Sequence, residues 1–148
     1  TLFPEVRLKR YLEMRGADGG PWKRLCALPA LWVGLLYDQT ALDAAWDMVK
    51  DWTTEERARL RADVPRLGLK APFRKETARE LARRMLEIAR AGLKRRNRLS
   101  SLGGDEAHFL NSLFEVVETG KTSSDVMLEA YRTRWEGKVD PIFTEYAY

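Results

Sequence analysis

A chain of 148 residues is long enough to bury one hydrophobic core, and its apolar runs all fall short of the roughly 20 residues a membrane-spanning helix needs. One cysteine and one histidine exclude an internal disulfide and a His/Cys metal cluster. The net charge of +4 is unevenly spread, at −2 over residues 1–56, +11 over 57–98 and −5 over 99–148, so the middle block raises nucleic acid as a partner to be weighed.

The first patterned stretch, "FPEVRLKRYLEMRGADGG", alternates. Val6, Leu8, Leu12 and Met14 fall on one side, and Glu5, Arg7, Lys9, Tyr11, Glu13 and Arg15 on the other. Period two predicts a half-buried β-strand with one apolar and one polar face. "RGADGG" reads as the turn that closes it, and Pro21 suits the first position of a helix. Residues 22–37 are mostly apolar and predict a buried helix, broken or kinked at Pro29.

Residues 38–50 carry Leu42, Ala45, Trp46 and Val49 at helical spacing and predict an amphipathic helix. Thr53 or Thr54 is the expected cap of the next helix, with Glu55 or Glu56 in its first turn and an end near Val64–Pro65. Residues 65–76, with two prolines and a glycine, are the expected linker. Residues 76–96 then predict the clearest helix, apolar on one half and carrying Arg79, Arg83, Arg90 and Lys94 on the other. Glu80–Arg84 and Arg83–Glu87 stand at i,i+4 spacing, which favours a solvated face. "LSSLGGDE" is a second loop, residues 105–118 and 124–135 predict two more helices, and Ser123 and Ser124 are the expected cap of the second. The aromatic tail "DPIFTEYAY" is expected to dock on the body.

The fold class expected is therefore mainly α, behind one convincing N-terminal strand. A lone strand cannot satisfy its own backbone hydrogen bonds, so the chain is expected to be part of a larger protein whose other strands lie upstream.

Glu13 and Arg15, at i and i+2 on a strand, share a face with Tyr11 beside them. Three readings stand: a solvated ion pair, a contact with a partner segment, or a carboxylate ligand for Mg²⁺ beside a guanidinium that holds phosphate. No GxxxxGK[ST] loop accompanies them. The basic block lacks the interleaved aromatics that stack bases, so a solvated or interdomain face outranks nucleic acid. His108 reads as structural, Cys26 as a buried inert thiol, and Trp22, Trp32, Trp46 and Trp52 as packing.

"FPEVRLKRYLEMRGADGGPWKRLCALPALWVGLLYD" closely resembles the C-terminal part of glutamate–cysteine ligases of the type shared by plants and many proteobacteria. "DWTTEERARLRADVPRLGLKAPF" and "WEGKVDPIF" resemble the same family, so the likeness spans the chain. It implies an enzyme that activates the γ-carboxylate of L-glutamate as an acyl phosphate with ATP and Mg²⁺, then joins it to the amine of L-cysteine. This is the first step of glutathione synthesis. It also implies a larger glutamine-synthetase-like α+β fold, in which the N-terminal strand or strands join an antiparallel catalytic sheet. Residues 1–64 would end the catalytic domain and residues 65–148 would form a C-terminal helical region.

Carried over through "Y-[LI]-E-[MV]-R", Glu13 is the implied metal ligand and Arg15 the implied stabiliser of phosphate or intermediate, with Arg7 and Tyr11 as weaker substrate contacts. Cys26, within "RLCALPA", is one half of an implied redox-sensitive disulfide. The rest of the site would lie upstream, so this segment alone is expected to be inactive. The compartment expected is the cytoplasm, with no nucleic-acid or membrane partner. The rival reading is a helical binding module that uses the 57–98 block for nucleic acid or an acidic protein.

Overall fold

The structure, a computed structural model, describes residues 5–17, 20–99, 101 and 103–147. Asp18 and Gly19 of the expected glycine-rich turn, Ser100 and Leu102 of the second loop, Tyr148 of the tail and residues 1–4 lie outside that description. The chain opens not on one strand but on a hairpin. Strands β1 (Val6–Leu8) and β2 (Leu12–Met14) pair antiparallel, with Val6 opposite Met14, Arg7 opposite Glu13 and Leu8 opposite Leu12. The Lys9 N–H donates to the Tyr11 carbonyl at 2.9 Å and the Arg15 N–H to the Glu5 carbonyl at 2.7 Å, closing the turn and the base. The fold-back supplies each strand with the partner that an isolated strand lacks.

The apolar stretch that follows is split at Cys26 into α1 (Trp22–Leu25) and α2 (Ala27–Leu36), not at Pro29. Pro29 is the third residue of α2, where its missing N–H has no intrahelical acceptor anyway. Helix α3 (Gln39–Val49) is capped by Asp38, whose carboxylate accepts the Ala41 N–H at 2.8 Å. Helix α4 (Thr54–Leu67) starts at a reciprocal box. The Glu56 N–H reaches Thr53 Oγ1 at 3.1 Å, and the Thr53 N–H reaches Glu56 Oε2 at 2.9 Å. Pro65 lies inside its last turn, so the helix runs past the expected stop.

Residues 65–76 are not a loose linker. After a 3₁₀ turn (Gly68–Lys70) come β3 (Pro72–Phe73) and β4 (Glu76–Thr77), an antiparallel pair. Ala71 and Phe73 are buried, and the Phe73 ring lies 4.4 Å from that of Trp52. Arg74 clamps the corner, donating from Nε and Nη2 to the two Glu56 carboxylate oxygens at 2.7 Å each and from Nη2 to the Asp51 carbonyl at 2.7 Å. A proline- and glycine-rich composition marks a change of direction here, while the aromatic and the guanidinium find long-range partners that pin it.

Helix α5 (Ala78–Arg96) is the central element. Its first turn uses Glu80 to cap Thr77, with the Thr77 N–H donating to Glu80 Oε2 at 2.6 Å, so Arg84 pairs with Glu76 at 2.7 Å rather than with Glu80. A 3₁₀ turn (Glu106–Leu110) then leads into α6 (Asn111–Thr119), where a single helix was expected. Thr122, not the serine pair, caps α7 (Ser123–Arg132) through a box with Asp125. The tail forms α8 (Ile142–Glu145) and docks: buried Trp135 donates from Nε1 to Glu145 Oε1 at 2.9 Å, and its ring meets Tyr146 edge-on at 6.1 Å.

The core joins Ala30 and Leu35 of α2 to Leu86, Ala89 and Leu93 of α5 and to Ala107, Leu110, Phe114 and Val117. Helices α2 and α5 cross through small residues. A Cβ added at Gly34 would lie 2.4 Å from the Ala89 carbonyl oxygen, and one added at Gly92 would lie 2.0 Å from the Gly34 carbonyl oxygen. Only glycine permits that approach. Among the described residues no single helix is long and apolar enough to cross a membrane.

Candidate active site

The hairpin places the chemistry. Partner numbers across β1 and β2 always sum to 20, so odd residues face odd and even face even. The polar face read from alternation therefore survives the fold-back. Arg7 stands directly across from Glu13, and its guanidinium grips the carboxylate as a fork, Nε to Oε2 at 2.6 Å and Nη2 to Oε1 at 3.0 Å. Lys9 Nζ is 3.9 Å from Oε1, and Arg15 Nε is 3.7 Å from Oε2.

One carboxylate is thus surrounded by three cations. The hydrogen bond from Arg7 is the largest influence on the Glu13 carboxyl; desolvation opposes it, and the charges of Arg7, Lys9 and Arg15 add to it, so the group is held below its ordinary range. Glu13 stays ionised, and the face keeps a net positive charge suited to an anion.

Arg7, Glu13 and Arg15 keep the shared face expected of them, and the fold-back adds the contact between Arg7 and Glu13 that a single strand would not make. The structure also adds Lys9, which sequence reasoning placed on the polar face without a role. Tyr11 is not on a strand. It lies in the turn, 60% exposed, with Lys9 Nζ 6.0 Å from its ring. Cys26 sits at the break between α1 and α2 as a half-buried free thiol rather than a buried one. The hairpin is tied to α4 by an ion pair between Glu5 Oε1 and Arg61 Nη2 at 3.0 Å. Its apolar side is open, with Val6 46%, Leu8 80% and Leu12 55% exposed.

Magnesium takes oxygen ligands, keeps several waters, and is held by one or two carboxylates together with substrate phosphates. Glu13 offers one such oxygen ligand, and among the described residues no three His, Cys, Asp or Glu side chains gather at one point. The residues present fit a cation that arrives with phosphates and draws further ligands from elsewhere. They do not make a self-contained metal centre.

Elsewhere the structure spends the basic block internally. Arg95 pairs with Asp38, Arg96 with Glu106 and Arg66 with Asp63, while Arg79 donates to the Val117 and Glu118 carbonyls at the end of α6. His108 is exposed, its Nδ1 against the Asp105 carbonyl and its ring 4.0 Å from Phe109. Trp22 and Trp46 are mostly exposed rather than packed, at 78% and 62%.

The sequence model of Glutamate-cysteine ligase family 2 (GCS2) matches residues 1–145. The chain belongs to that family. Over all 148 residues it is 54% identical to the chloroplastic glutamate–cysteine ligase of Nicotiana tabacum and 55% identical to that of Arabidopsis thaliana, spanning 27% of each. It is 53% identical to the chloroplastic glutamate–cysteine ligase A of Oryza sativa subsp. indica, spanning 29% of it. The chain therefore spans little more than a quarter of the length of the curated relatives it matches. Their names overturn the cytoplasmic expectation, because each is called chloroplastic. A stretch that spans little more than a quarter of its kin carries no information of its own on compartment. Nor does the rival reading of the glutamate–cysteine ligase family chain as a nucleic-acid module find support in the match or in the paired arginines.

Proposed function

We propose that the chain is a segment of an ATP- and Mg²⁺-dependent ligase that joins the γ-carboxylate of L-glutamate to the amine of L-cysteine through a γ-glutamyl phosphate, the first step of glutathione synthesis. The observation that carries this is the hairpin face, where one ionised carboxylate and three cations meet in a chain of the glutamate-cysteine ligase family.

In this reading Glu13 is a metal ligand and Arg15 steadies the anionic acyl phosphate and the intermediate formed from it. Arg7 and Lys9 add positive charge where phosphate oxygens lie, and Tyr11 borders the substrate from the turn. Bound Mg²⁺ would neutralise phosphate charge as the phosphoryl group transfers. The hairpin joins an antiparallel catalytic sheet of a glutamine-synthetase-like fold through a strand edge, and its open apolar side packs against the rest of that domain. Residues 1–64 complete the catalytic domain and residues 65–148 form the helical region, a division of role within one shared core. The redox role implied for Cys26 belongs to the same proposal, with its partner outside this chain.

In the full-length enzyme, Glu13→Gln and Arg15→Lys should each lower turnover by about 10²-fold or more while leaving the far-ultraviolet circular dichroism unchanged. Near-wild-type turnover in both variants would overturn the assignment. The 148-residue segment alone should release no phosphate from ATP in the presence of glutamate, and release above background would refute the view that the site is completed elsewhere.

A further inference from the structure

Arg7 occupies Glu13 more completely than an ion pair at a solvated surface requires. Its fork takes one lone pair on each carboxylate oxygen, at 2.6 and 3.0 Å. Lys9 and Arg15 flank the same oxygens at 3.9 and 3.7 Å. A bare divalent cation approaching this carboxylate meets three positive charges crowded around the lone pairs that the fork leaves. A cation that arrives on a polyphosphate brings compensating negative charge, and the phosphate offers a guanidinium the same planar, two-point match that a carboxylate does.

The three cations are not equally free to change partner. The backbones of Arg15 and Arg7 are both fixed in the hairpin, but the Arg15 side chain is only 21% exposed. The Arg7 side chain is 44% exposed and stands on β1, whose residues are all exposed, so its fork can swing without unpacking any core. The register keeps it opposite Glu13 in either position.

We propose that Arg7 is a positioning residue that works by exchange. With no substrate present its guanidinium holds the Glu13 carboxylate, and when a divalent cation arrives with a polyphosphate the carboxylate passes to the cation while the guanidinium turns to the phosphate oxygens. Glu13 is thereby screened from free divalent cations and opened only to the phosphate-bound form. This rests on the reading of Glu13 as a metal ligand given above.

The test uses Mn²⁺ as the probe, with the full-length protein and free Mn²⁺ followed by electron paramagnetic resonance, first without nucleotide and then with a non-hydrolysable ATP analogue. Without nucleotide, Arg7→Gln should bind Mn²⁺ about tenfold more tightly than wild type, the scale on which a ligand's hydrogen-bond partner moves metal affinity. The gain should vanish in the Arg7→Gln/Glu13→Gln double variant. With the analogue present, Arg7→Gln should instead bind the nucleotide more weakly. Arg7→Lys keeps the charge but covers only one oxygen, so it should tighten Mn²⁺ binding by a smaller factor and covers the case of a poorly folded Arg7→Gln. Equal Mn²⁺ affinity without nucleotide in wild type and both Arg7 variants, with Glu13→Gln weakened once the analogue is present, would overturn the exchange while sparing the ligand role of Glu13. Unchanged Mn²⁺ affinity in Glu13→Gln with the analogue present would overturn both.

Discussion

The crossing of α2 and α5 should be the most substitution-sensitive feature of this chain, and Gly92→Ala measures it. The added Cβ would sit 2.0 Å from the Gly34 carbonyl oxygen and 2.9 Å from the Ala41 Cβ. Neither neighbour is the end of a flexible side chain, so the backbones must part. Ordinary contact begins at 3.4 Å, and the shortfall from 2.0 Å is about 1.4 Å. A gap of about 0.5–1 Å already forfeits a quarter to a half of each van der Waals well, and the lining residues Ala89, Leu93 and Leu35 are among the most buried in the chain. Overpacking against rigid atoms costs about 3 kcal/mol, the upper end of its usual range. The better helix propensity of alanine returns about 1 kcal/mol. The net loss is about 2 kcal/mol, or a melting temperature lower by roughly 4–8 °C in a domain of this size. Gly34→Ala should lose somewhat less, because its worst contact is 2.4 Å. Gly20→Ala, whose Cβ would meet Arg24 at an ordinary 3.5 Å, is the control. Urea unfolding followed by circular dichroism checks the order. Gly92→Ala at or above wild-type stability would refute the close crossing.

Two further outcomes follow from side chains that hold elements in place. Glu56 is held at about 2, below its usual 4.5, by the Arg74 hydrogen bond first and the Thr53 N–H second. Because the folded value is depressed, its contribution is fully present above pH 4.5 and is lost as pH falls toward 2. The stability curves of wild type and Glu56→Gln should therefore approach each other as pH falls from 4.5 through 2, and a gap that does not narrow over that window would contradict the assignment. Arg79→Met should leave the Val117 and Glu118 carbonyls without their guanidinium and fray the end of α6. The cost should be about 1 kcal/mol, below the range for fully buried charged hydrogen bonds because the site is partly open to water; unchanged amide exchange at Thr119 and Gly120 would count against it.

How much of this was legible depends on whether the signal is local. The helical period over residues 76–96 and the threonine–glutamate spacing at Thr53 and Glu56 both lie within a few residues, and both elements form where the pattern puts them. Glu80 was misassigned to Arg84 because its role depends on where the helix starts: with Ala78 as the first residue, Glu80 is the third and caps Thr77. The Gly34–Gly92 approach joins residues far apart in sequence, and a glycine inside a helical pattern reads only as a weak point. Phe73 and Arg74 were hidden for the same reason, since their partners lie well back along the chain, Trp52 in the connection before α4 and Glu56 in its first turn.

The hairpin is the instructive case. Alternation over residues 6–14 cannot tell one long strand from two short ones folded about Arg10, because pairing residues whose numbers sum to 20 keeps each on its original face. "LKRY" also holds no glycine, proline or asparagine to announce a turn. The face was therefore legible and the fold-back was not. The difference decides the chemistry, because on a single strand Arg7 and Glu13 lie six residues apart and do not meet. Folded, they exchange a two-point ion pair. The opposite side, with Leu8 80% exposed, is too apolar and the pair of strands too small to be stable in water alone, so whatever covers that side also sets how firmly the polar side is held. Register alone still keeps Arg7 across from Glu13, and a partner strand on either edge would leave that pairing in place.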